Sequence, residues 1–269
     1  MSNDWLGLAG KTAVVTGAGG GIGRGIALEL ARAGVRVAVL DLNEDGARET
    51  TELISHESGE KALYHGCDTT DADQVAAAAN GVRAEFGPVD VLVNNAGIIG
   101  SGSLLDTPIE QWRRVLDVNL TGYLLCAREF GADMVERGAG SVVHISSICG
   151  VDPYPRAGAY SSSKAAVSMM SRQLAAEWAP HGVRSNAVGP GLIRTPLTEA
   201  SYANEKTKAA REELVPLGRI GTPEDIANAV VWLASPRASY VTGQQFLVDG
   251  GLDQALLGVV RTAGVDGGK

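Results

Sequence analysis

One tyrosine and one lysine are spaced so that they could act together in proton transfer. Tyr160 and Lys164 are four residues apart in AYSSSKAAVSMMSRQLAAEWA, whose apolar spacing predicts a helix. Residues at i and i+4 share one face of a helix, so the ammonium would lie beside the phenol. A charge at about 4 Å stabilises a phenolate by up to about 4 kcal/mol. This would lower the tyrosine pKa by about three units from its usual value of about 10. Tyr160 would then suit acid or base work on an alcohol and ketone pair.

The same spacing also arises by chance on the surface of amphipathic helices, so other residues have to support it. Ser147 ends a predicted strand, SVVHISS, and lies thirteen residues before Tyr160, enough chain for a loop that brings the two side chains together. Asn119 falls within one long predicted helix that starts at Thr107. A buried asparagine in mid-helix is unfavourable unless its amide is hydrogen-bonded, so Asn119 is a further candidate.

The beginning of the chain predicts a site for the phosphates of a dinucleotide. A strand, TAVVT, leads into the loop GAGGGIG and then into a helix that ends at Gly34. The N-terminus of such a helix binds a pyrophosphate through backbone N–H groups, and glycine leaves room for the phosphates. The spacing is TGxxxGxG, with Gly17, Gly21 and Gly23. The alternative is a tight turn that only packs the helix on the strand.

The second predicted strand, VRVAVLD, ends at Asp41, which lies 18 residues after Gly23. An acid about 20 residues after the loop hydrogen-bonds the adenosine ribose of NAD, and it would repel the extra phosphate of NADP. Neither Gly20 nor Leu42 supplies a countering cation. The sequence therefore predicts NAD. The alternative is that Asp41 caps the helix that begins after Asn43.

The alternation of strands and helices continues and predicts an α/β fold. Asp68, in CDTTD, follows the third strand and is placed to face the adenine, although a helix-capping residue would look similar. Asn94, Asn95 and Gly97 follow the fourth strand, VLV. Because ligands bind at the carboxyl ends of the strands in open parallel sheets, these residues are expected at the cofactor.

The second half of the chain predicts a cover for the site. Residues 192–217 are charged and rich in alanine, and we expect one or two mobile helices that form a lid over the substrate. The alternative is a solvated helix without a gating role. Thr222 as N-cap with Pro223 at the first helical position predicts a further helix, and GQQFLVDGG predicts the last strand.

Composition predicts one domain and excludes several classes of partner. At 269 residues, with 45% hydrophobic and 20% charged residues and no linker, residues 1–257 are expected to form one domain, followed by a flexible tail at 258–269. A net charge of -8 with a pI near 5.1 disfavours nucleic acid and anionic membranes. Three scattered cysteines, four scattered histidines and the lack of a signal-peptide pattern or long apolar run predict a soluble, cytoplasmic protein with reduced thiols and no metal site. The cysteines are Cys67, Cys126 and Cys149.

Taken together, these motifs resemble the classical short-chain dehydrogenases/reductases over roughly residues 10–252. The resemblance is carried by TGAGGGIG, Asp41, CDTTD, NNAG, Asn119, Ser147, YSSSK and NAVGPGLIRTP, in the family's order. It implies a Rossmann-type, doubly wound, mostly parallel seven-stranded sheet with helices on both faces, and a hydride exchanged with a nicotinamide ring. It also implies a homotetramer or homodimer built through the helices around residues 107–136 and 160–178, although those apolar faces could equally be core.

The resemblance also implies roles for individual residues. Tyr160 is the acid/base, Lys164 lowers its pKa and holds the nicotinamide ribose, and Ser147 orients the substrate oxygen. Asn119 holds a water in a proton relay that runs to solvent through Lys164. The cofactor contacts, to which the glycine spacing adds Gly23, are Gly17, Gly21, Ile22, Asp41, Asp68, Asn95, Tyr160, Lys164 and Thr195.

The sequence thus predicts an NAD-dependent oxidoreductase that interconverts a secondary alcohol and its ketone. Residues 98–103, 148–156 and the lid would line the substrate pocket, with a small polyol or sugar favoured over a cyclic alcohol or hydroxyacid. Arg156 either meets a polar or anionic substrate or faces solvent. One alternative is a 3-oxoacyl-thioester reductase; such enzymes use NADPH, and Asp41 argues against that cofactor. The other is a non-catalytic NAD-binding protein on the same fold. An epimerase or dehydratase is disfavoured by chain length and glycine spacing.

Overall fold

The computed structural model describes residues 4–255 of the chain, so the predicted tail at 258–269 lies outside the described residues. Its strands form one parallel sheet in the order β3-β2-β1-β4-β5-β6-β7. The strands are β1 (Thr12–Thr16), β2 (Arg36–Asp41), β3 (Ala62–Gly66), β4 (Val91–Asn94), β5 (Gly140–Ile145), β6 (Val183–Pro190) and β7 (Gln245–Val248).

Helices connect these strands and cover both faces of the sheet. The helices are α1 (Gly21–Arg32), α2 (Glu44–Ser58), α3 (Ala72–Phe86), α4 (Ile109–Leu116), α5 (Gly122–Arg137), α6 (Tyr160–Trp178), α7 (Glu199–Tyr202), α8 (Glu205–Leu214) and α9 (Pro223–Ala234). The capping box of Thr222 and Asp225, with Pro223 in the first turn, starts α9 as predicted.

The apolar strands are buried on both sides, as expected for a parallel sheet covered by helices. In β1, Val15 packs in one core with Ile26 of α1 and Val230 of α9, whereas its neighbour Val14 packs in a second core with Phe130 of α5. Successive side chains of a strand point to opposite faces, so one strand contributes to both cores. The doubly wound α/β fold that the sequence predicted is confirmed.

The strand order reverses between β1 and β4, and this point determines where a ligand can bind. Val15 of β1 pairs with Val93 of β4, so Gly17 and Asn95 emerge side by side at the carboxyl edge. The chain leaves β1 and β4 in opposite directions, which opens a crevice there. The fold therefore delivers two of the predicted cofactor residues to one edge of the sheet.

Two predicted elements differ in detail. The single helix expected from Thr107 consists of α4, a π-helical turn at Asp117–Thr121 and α5, with Asn119 in the π turn. Such turns are frequent at functional sites, and here the widened turn accompanies the bonds that Asn119 makes to two other segments. Strand β5 ends at Ile145 rather than at Ser147, because Ser147 caps a short 3₁₀ turn by accepting a hydrogen bond from the Cys149 N–H. Within residues 4–255, no helix is both long and apolar enough to span a membrane.

Candidate active site

A cleft of about 1700 Å³ opens at the carboxyl edge of the sheet. One wall comes from the loop between β1 and α1, the floor from the ends of β4 and β5, and the cover from the lid, residues 192–217. Its lining includes most of the site residues that the sequence predicted. These are Gly17, Gly21, Ile22, Asp41, Asp68, Asn95, Ser147, Tyr160, Lys164 and Thr195.

The glycine loop, residues 17–23, presents bare backbone to the cleft. Helix α1 begins at Gly21, and its N-cap Gly20 supplies no side-chain hydrogen bond, so the N–H groups of the first turn are free of a side-chain cap. A methyl group added at Gly20 would meet nothing within 4 Å, and one at Gly21 would meet Thr195 Cβ at 3.6 Å. An uncapped helix N-terminus facing open space fits the pyrophosphate of a dinucleotide.

The other two glycines of the predicted spacing serve packing. A Cβ added at Gly23 would lie 2.2 Å from the Gly17 carbonyl oxygen, and one at Gly17 would lie 2.6 Å from Ala96 Cα. Gly17 also has a φ of 63°, a conformation that favours glycine. Gly23 is buried beneath the loop and does not line the cleft, so these contacts give it a packing role, while its contact with the cofactor stays a prediction.

Asn95 connects the end of β4 to the glycine loop. Its Nδ2 donates to the carbonyl oxygens of Thr16 at 3.0 Å and Gly17 at 2.9 Å. Its backbone N–H donates to the Thr16 hydroxyl at 3.0 Å. The amide of Asn95 is therefore used to hold the loop in shape beside the cleft.

Asp41 lies in the cleft wall at the end of β2 and braces the same loop. Its carboxylate accepts from the Gly19 N–H at 2.7 Å and from the Asn43 N–H at 2.8 Å. Helix α2 is capped by Asn43, whose side chain accepts from the Gly46 N–H, so the alternative that Asp41 caps this helix is wrong. The next side chain, Leu42, is 71% exposed and carries no charge.

Arg24 is a cation near the loop that sequence reasoning missed. Its guanidinium donates to the Gly19 carbonyl at 2.7 Å and pairs with Glu49 at 2.7 Å, and it does not line the cleft. The signal available in the sequence was its position one turn into α1, three residues after Gly21. Because the guanidinium is already engaged, it does not replace a free cation beside Asp41.

Asp68 and Thr195 lie at other points of the cleft wall. Asp68 accepts from the N–H and the hydroxyl of Thr70, at 2.9 and 2.8 Å. Helix α3 is capped by Asp71, so Asp68 is not a helix cap. Thr195, at the start of the lid, faces Gly21, and its N–H donates to the Thr198 hydroxyl at 2.9 Å.

Tyr160 and Ser147 meet in the cleft wall beyond the glycine loop. Tyr160 is the first residue of α6, and Ser147 lies two residues after the end of β5. Burial raises the pKa of Tyr160 to about 12, while a hydrogen bond from the Ser147 side chain acts in the lowering direction. The lowered phenol pKa predicted from the spacing is therefore wrong for the protein as described here, because desolvation of the phenolate outweighs the other influences.

Lys164 is buried, with only 3% of its surface exposed. Its Nζ donates to the Ile145 carbonyl at 2.8 Å and to the Tyr123 hydroxyl at 3.3 Å, and lies 5.9 Å from the centre of the Tyr160 ring. Burial lowers the pKa of Lys164 to about 7, so near neutral pH only part of the population carries the charge. The two side chains share the cleft wall, as the i, i+4 spacing predicts.

Asn119 is fully buried and its amide is bonded within the protein. Its Oδ1 accepts from the Ile98 N–H at 2.8 Å, and its Nδ2 donates to the Ile98 carbonyl and the Ser163 hydroxyl, both at 3.0 Å. These bonds hold the segment after β4 against α6. They also satisfy the requirement that a buried asparagine in mid-helix be hydrogen-bonded.

The substrate end of the cleft agrees only partly with the predicted ranges. Ile98, Ile99, Ile148, Cys149, Asp152, Pro153 and Tyr154 line it, together with lid residues that include Ser201, Tyr202, Arg211 and Leu214. Residues 100–103 and Arg156 are absent from the lining, and Arg156 is exposed. The lid forms two short helices over the cleft, α7 and α8, while its mobility stays a prediction.

Known proteins resemble this chain in sequence and in fold. Residues 17–253 match the model of the family described as Enoyl-(Acyl carrier protein) reductase. The chain is 40% identical over 247 residues to the 3beta-hydroxysteroid dehydrogenase 1 of Eggerthella lenta, covering 91% of this chain and 94% of the relative. It is 41% identical over 245 residues to the cis-4-hydroxycyclohexanecarboxylate dehydrogenase of Sinomonas cyclohexanicum. That match covers 90% of this chain and 96% of the relative.

Solved structures extend the likeness to three dimensions. The crystal structure of a gluconate 5-dehydrogenase from Burkholderia cenocepacia J2315, in complex with NADP and tartrate, is 33% identical and superposes with a TM-score of 0.88. The match covers 94% of this chain and 98% of that one. With the family match, the two dehydrogenase relatives and this shared fold, the chain belongs to the classical short-chain dehydrogenase/reductase family and is an oxidoreductase.

Proposed function

We propose that this protein is an NAD-dependent dehydrogenase that interconverts a secondary alcohol and its ketone, with Tyr160 as the acid/base. The observation that carries the proposal is the convergence of Tyr160, Ser147 and Lys164 on the wall of one cleft that also contains the open glycine loop. Bound NAD would take up or supply the hydride. The protein's own task is then to hold the substrate oxygen and move one proton.

Ser147 and Tyr160 perform that task at the substrate oxygen. In ketone reduction the Tyr160 phenol gives its proton to the oxygen, and the raised pKa of Tyr160 keeps this donor protonated at neutral pH. In alcohol oxidation the phenolate is needed, and a charged Lys164 nearby stabilises it. We therefore expect alcohol oxidation to become faster as the pH rises and more phenolate is present.

The proposal gives roles to two further residues, Lys164 and Asn119. We assign Lys164 to the nicotinamide ribose as well as to the phenol, and Asn119 to a relay that passes the proton to solvent through a water and Lys164. Support for Asn119 is its position beside Lys164, since a Cβ added at Gly97 would lie 3.3 Å from Asn119 Oδ1 and 3.5 Å from Lys164 Nζ.

The choice of NAD is supported by charge at the adenosine end of the cleft. Asp41 lies in the cleft wall, Leu42 is uncharged, and the Arg24 guanidinium is paired with Glu49. A 2′-phosphate would meet the Asp41 carboxylate there, and the Arg24 guanidinium is already engaged. The gluconate 5-dehydrogenase neighbour is an NADP complex, so family membership does not decide between the two cofactors. The proposed contacts are Gly17, Gly21, Ile22, Gly23, Asp41, Asp68, Asn95, Tyr160, Lys164 and Thr195.

The proposed substrate is a small polyol or sugar, a cyclic alcohol or a hydroxyacid, with the first favoured. The relatives are named for a hydroxysteroid, a hydroxycyclohexanecarboxylate and gluconate, which covers ring alcohols and polyols. The cleft mixes apolar side chains such as Ile148 and Leu214 with Arg211, whose guanidinium lies 5.2 Å over the Tyr202 ring. A carboxylated alcohol therefore belongs in any substrate panel.

We also propose that the protein assembles into a homotetramer or homodimer and works in the cytoplasm. Leu124 on α5 and Met169 on α6 are 40% and 58% exposed, which leaves apolar surface on the two helices expected to pair. Their exposure supports an interface because apolar side chains gain most from being covered.

The proposal is tested by measuring turnover of a panel of alcohols with NAD⁺ and with NADP⁺. The panel contains polyols, cyclic alcohols and hydroxyacids. We expect NADH formation with at least one alcohol and a kcat/KM for NAD⁺ about tenfold or more above that for NADP⁺. Asp41→Ala should reduce this preference, whereas Asp45→Ala, at an exposed acid in the first turn of α2, should leave it unchanged. NADP⁺ preference in the unmodified protein would contradict the cofactor choice. Cofactor binding without turnover of any alcohol would favour a non-catalytic NAD-binding protein.

A further inference from the structure

A polar cluster formed by Asn94, Tyr123 and His144 lies next to Lys164 inside the protein. The three residues come from the end of β4, from α5 and from β5, and all are fully buried. None of them lines the cleft, and the reaction proposed above uses none of them. The contacts of the cluster with Lys164 nevertheless link it to the site.

Tyr123 binds Lys164 directly through its hydroxyl group. Lys164 Nζ donates to this hydroxyl at 3.3 Å, and the hydroxyl in turn donates to the Ile145 carbonyl at 3.1 Å. Lys164 Nζ donates to the same carbonyl at 2.8 Å. The ammonium lies 5.2 Å from the centre of the Tyr123 ring and 5.9 Å from that of the Tyr160 ring. It is therefore shared between two tyrosines, only one of which reaches the cleft.

His144 and Asn94 hold Tyr123 from the other side. The imidazole stacks on the Tyr123 ring with centroids 6.1 Å apart and planes inclined by 25°. Asn94 Nδ2 donates to the Tyr123 carbonyl at 3.0 Å and lies 3.2 Å from His144 Nδ1. Burial, with a smaller contribution from the Lys164 charge, lowers the pKa of His144 to about 3. The imidazole is thus neutral at physiological pH and does not repel the ammonium.

The cluster has a cost that packing alone does not explain. Among residues 4–255, His144 Nε2 and Asn94 Oδ1 have no hydrogen-bond partner although both atoms are buried. Leaving such an atom unpaired lowers the free energy of unfolding, and apolar side chains of similar shape would avoid that loss. A costly polar cluster in contact with a site residue points to a role at that site.

We propose that Tyr123 is a positioning residue for Lys164, holding the ammonium in place and in its charged form so that it can act on Tyr160. This inference rests on the proposed function. The other titratable groups around Lys164 are His144 on β5, Tyr160 on its own helix, and Cys149, which lies next to Tyr160. Within residues 4–255 no carboxylate forms an ion pair with Lys164, and burial is the cause of its pKa shift. Together with the Ile145 carbonyl, the Tyr123 hydroxyl therefore supports its charge.

The substitution Tyr123→Phe removes this hydroxyl and keeps the ring. The ammonium then loses one hydrogen-bond acceptor in a buried place, so its charged form becomes less stable. A less charged Lys164 stabilises the Tyr160 phenolate less. We expect the apparent pKa for alcohol oxidation to rise by about one unit, with kcat/KM about tenfold lower at pH 7 and close to the unmodified value at high pH.

The pH profile of kcat/KM for alcohol oxidation tests the inference in Tyr123→Phe, in the unmodified protein and in Tyr64→Phe, an exposed tyrosine on β3. His144→Phe is a second variant, which keeps a ring beside Tyr123 and leaves the hydroxyl in place but removes the contact between Nδ1 and Asn94. The expected result is a raised pKa in Tyr123→Phe, a smaller rise in His144→Phe and an unshifted pKa in Tyr64→Phe. A Tyr123→Phe profile that falls equally at all pH values, or does not change, would overturn the inference.

Tyr160→Phe, measured in the same assay, separates this inference from the proposed function. If Tyr160→Phe is inactive while Tyr123→Phe has the profile of the unmodified protein, only the role of Tyr123 is wrong. If Tyr160→Phe turns over normally, the proposed acid/base is wrong, and Tyr123 has no phenolate to influence.

Discussion

The glycine loop and the surroundings of Lys164 are two parts of one cleft that are built in different ways. The loop is formed by residues 17–23 and is braced mainly by Asp41 and Asn95. The Lys164 enclosure is assembled from Ile98, Asn119, Tyr123, Ile145 and Ser163, which come from several elements. The first is a local motif, whereas the second exists only after the sheet and helices have packed.

The two regions also depend on opposite physical features. The loop depends on glycines, which have no side chain, because a Cβ at Gly23 would lie 2.2 Å from the Gly17 carbonyl oxygen. The enclosure depends on polar atoms that must be paired, because Asn119 satisfies three hydrogen bonds in a fully buried position. Added volume should therefore damage the loop, and a lost amide should damage the enclosure.

The largest expected effect on stability comes from added volume in the loop. Gly23→Ala forces a methyl group against backbone atoms that cannot rotate away, so we expect a loss of about 3 kcal/mol in the free energy of unfolding. Gly20→Ala is the matched control, because its methyl group would meet nothing within 4 Å. The measurement is chemical denaturation, combined with the KM for NAD⁺.

Gly20→Ala should keep the stability of the unmodified protein but raise the KM for NAD⁺, because the methyl group enters the cleft. Equal stability of the two variants would show that close packing does not shape the loop. An unchanged KM in Gly20→Ala would show that the pyrophosphate does not approach this part of the backbone.

A smaller loss of stability is expected in the enclosure. Asn119→Ala removes three hydrogen bonds and leaves the Ile98 N–H and carbonyl without their partner, which should cost about 2 kcal/mol. It should also lower turnover, since the segment after β4 is no longer held against α6, the helix that carries Tyr160 and Lys164. Asn80→Ala, at an exposed asparagine of α3, is the control and should change the free energy of unfolding by less than about 0.5 kcal/mol. The same small change in both variants would contradict this view of the enclosure.

The sheet and the glycine loop were predictable because their signals are local. Buried β-branched runs such as TAVVT formed the strands, and the order of strand, loop and helix placed Gly21 at a helix N-terminus. Asp41 and Ser147 were found because a strand that ends in a polar residue delivers it to the ligand edge. The π turn around Asn119 was not predicted, since its widened geometry accompanies contacts with Ile98 and Ser163 that sequence spacing does not contain.

The direction of the Tyr160 pKa was predicted wrongly for a related reason. Spacing indicates that a lysine is near, but it does not contain the degree of burial, and burial is the larger influence on Tyr160. Tyr123 was missed although it lies four residues after Asn119, a spacing that could have suggested a shared helix face. Arg24 was missed because its partners, Gly19 and Glu49, become neighbours only after α1 and α2 pack together.

Turnover of Tyr160→Phe is the most direct test of the central claim, that the Tyr160 phenol transfers the proton. Tyr154→Phe, at an exposed tyrosine in the same cleft, is the matched control. The account predicts that Tyr160→Phe loses about 1000-fold or more in kcat, with NAD affinity changed by less than about threefold, while Tyr154→Phe stays active. Near-normal kcat in Tyr160→Phe would contradict the account.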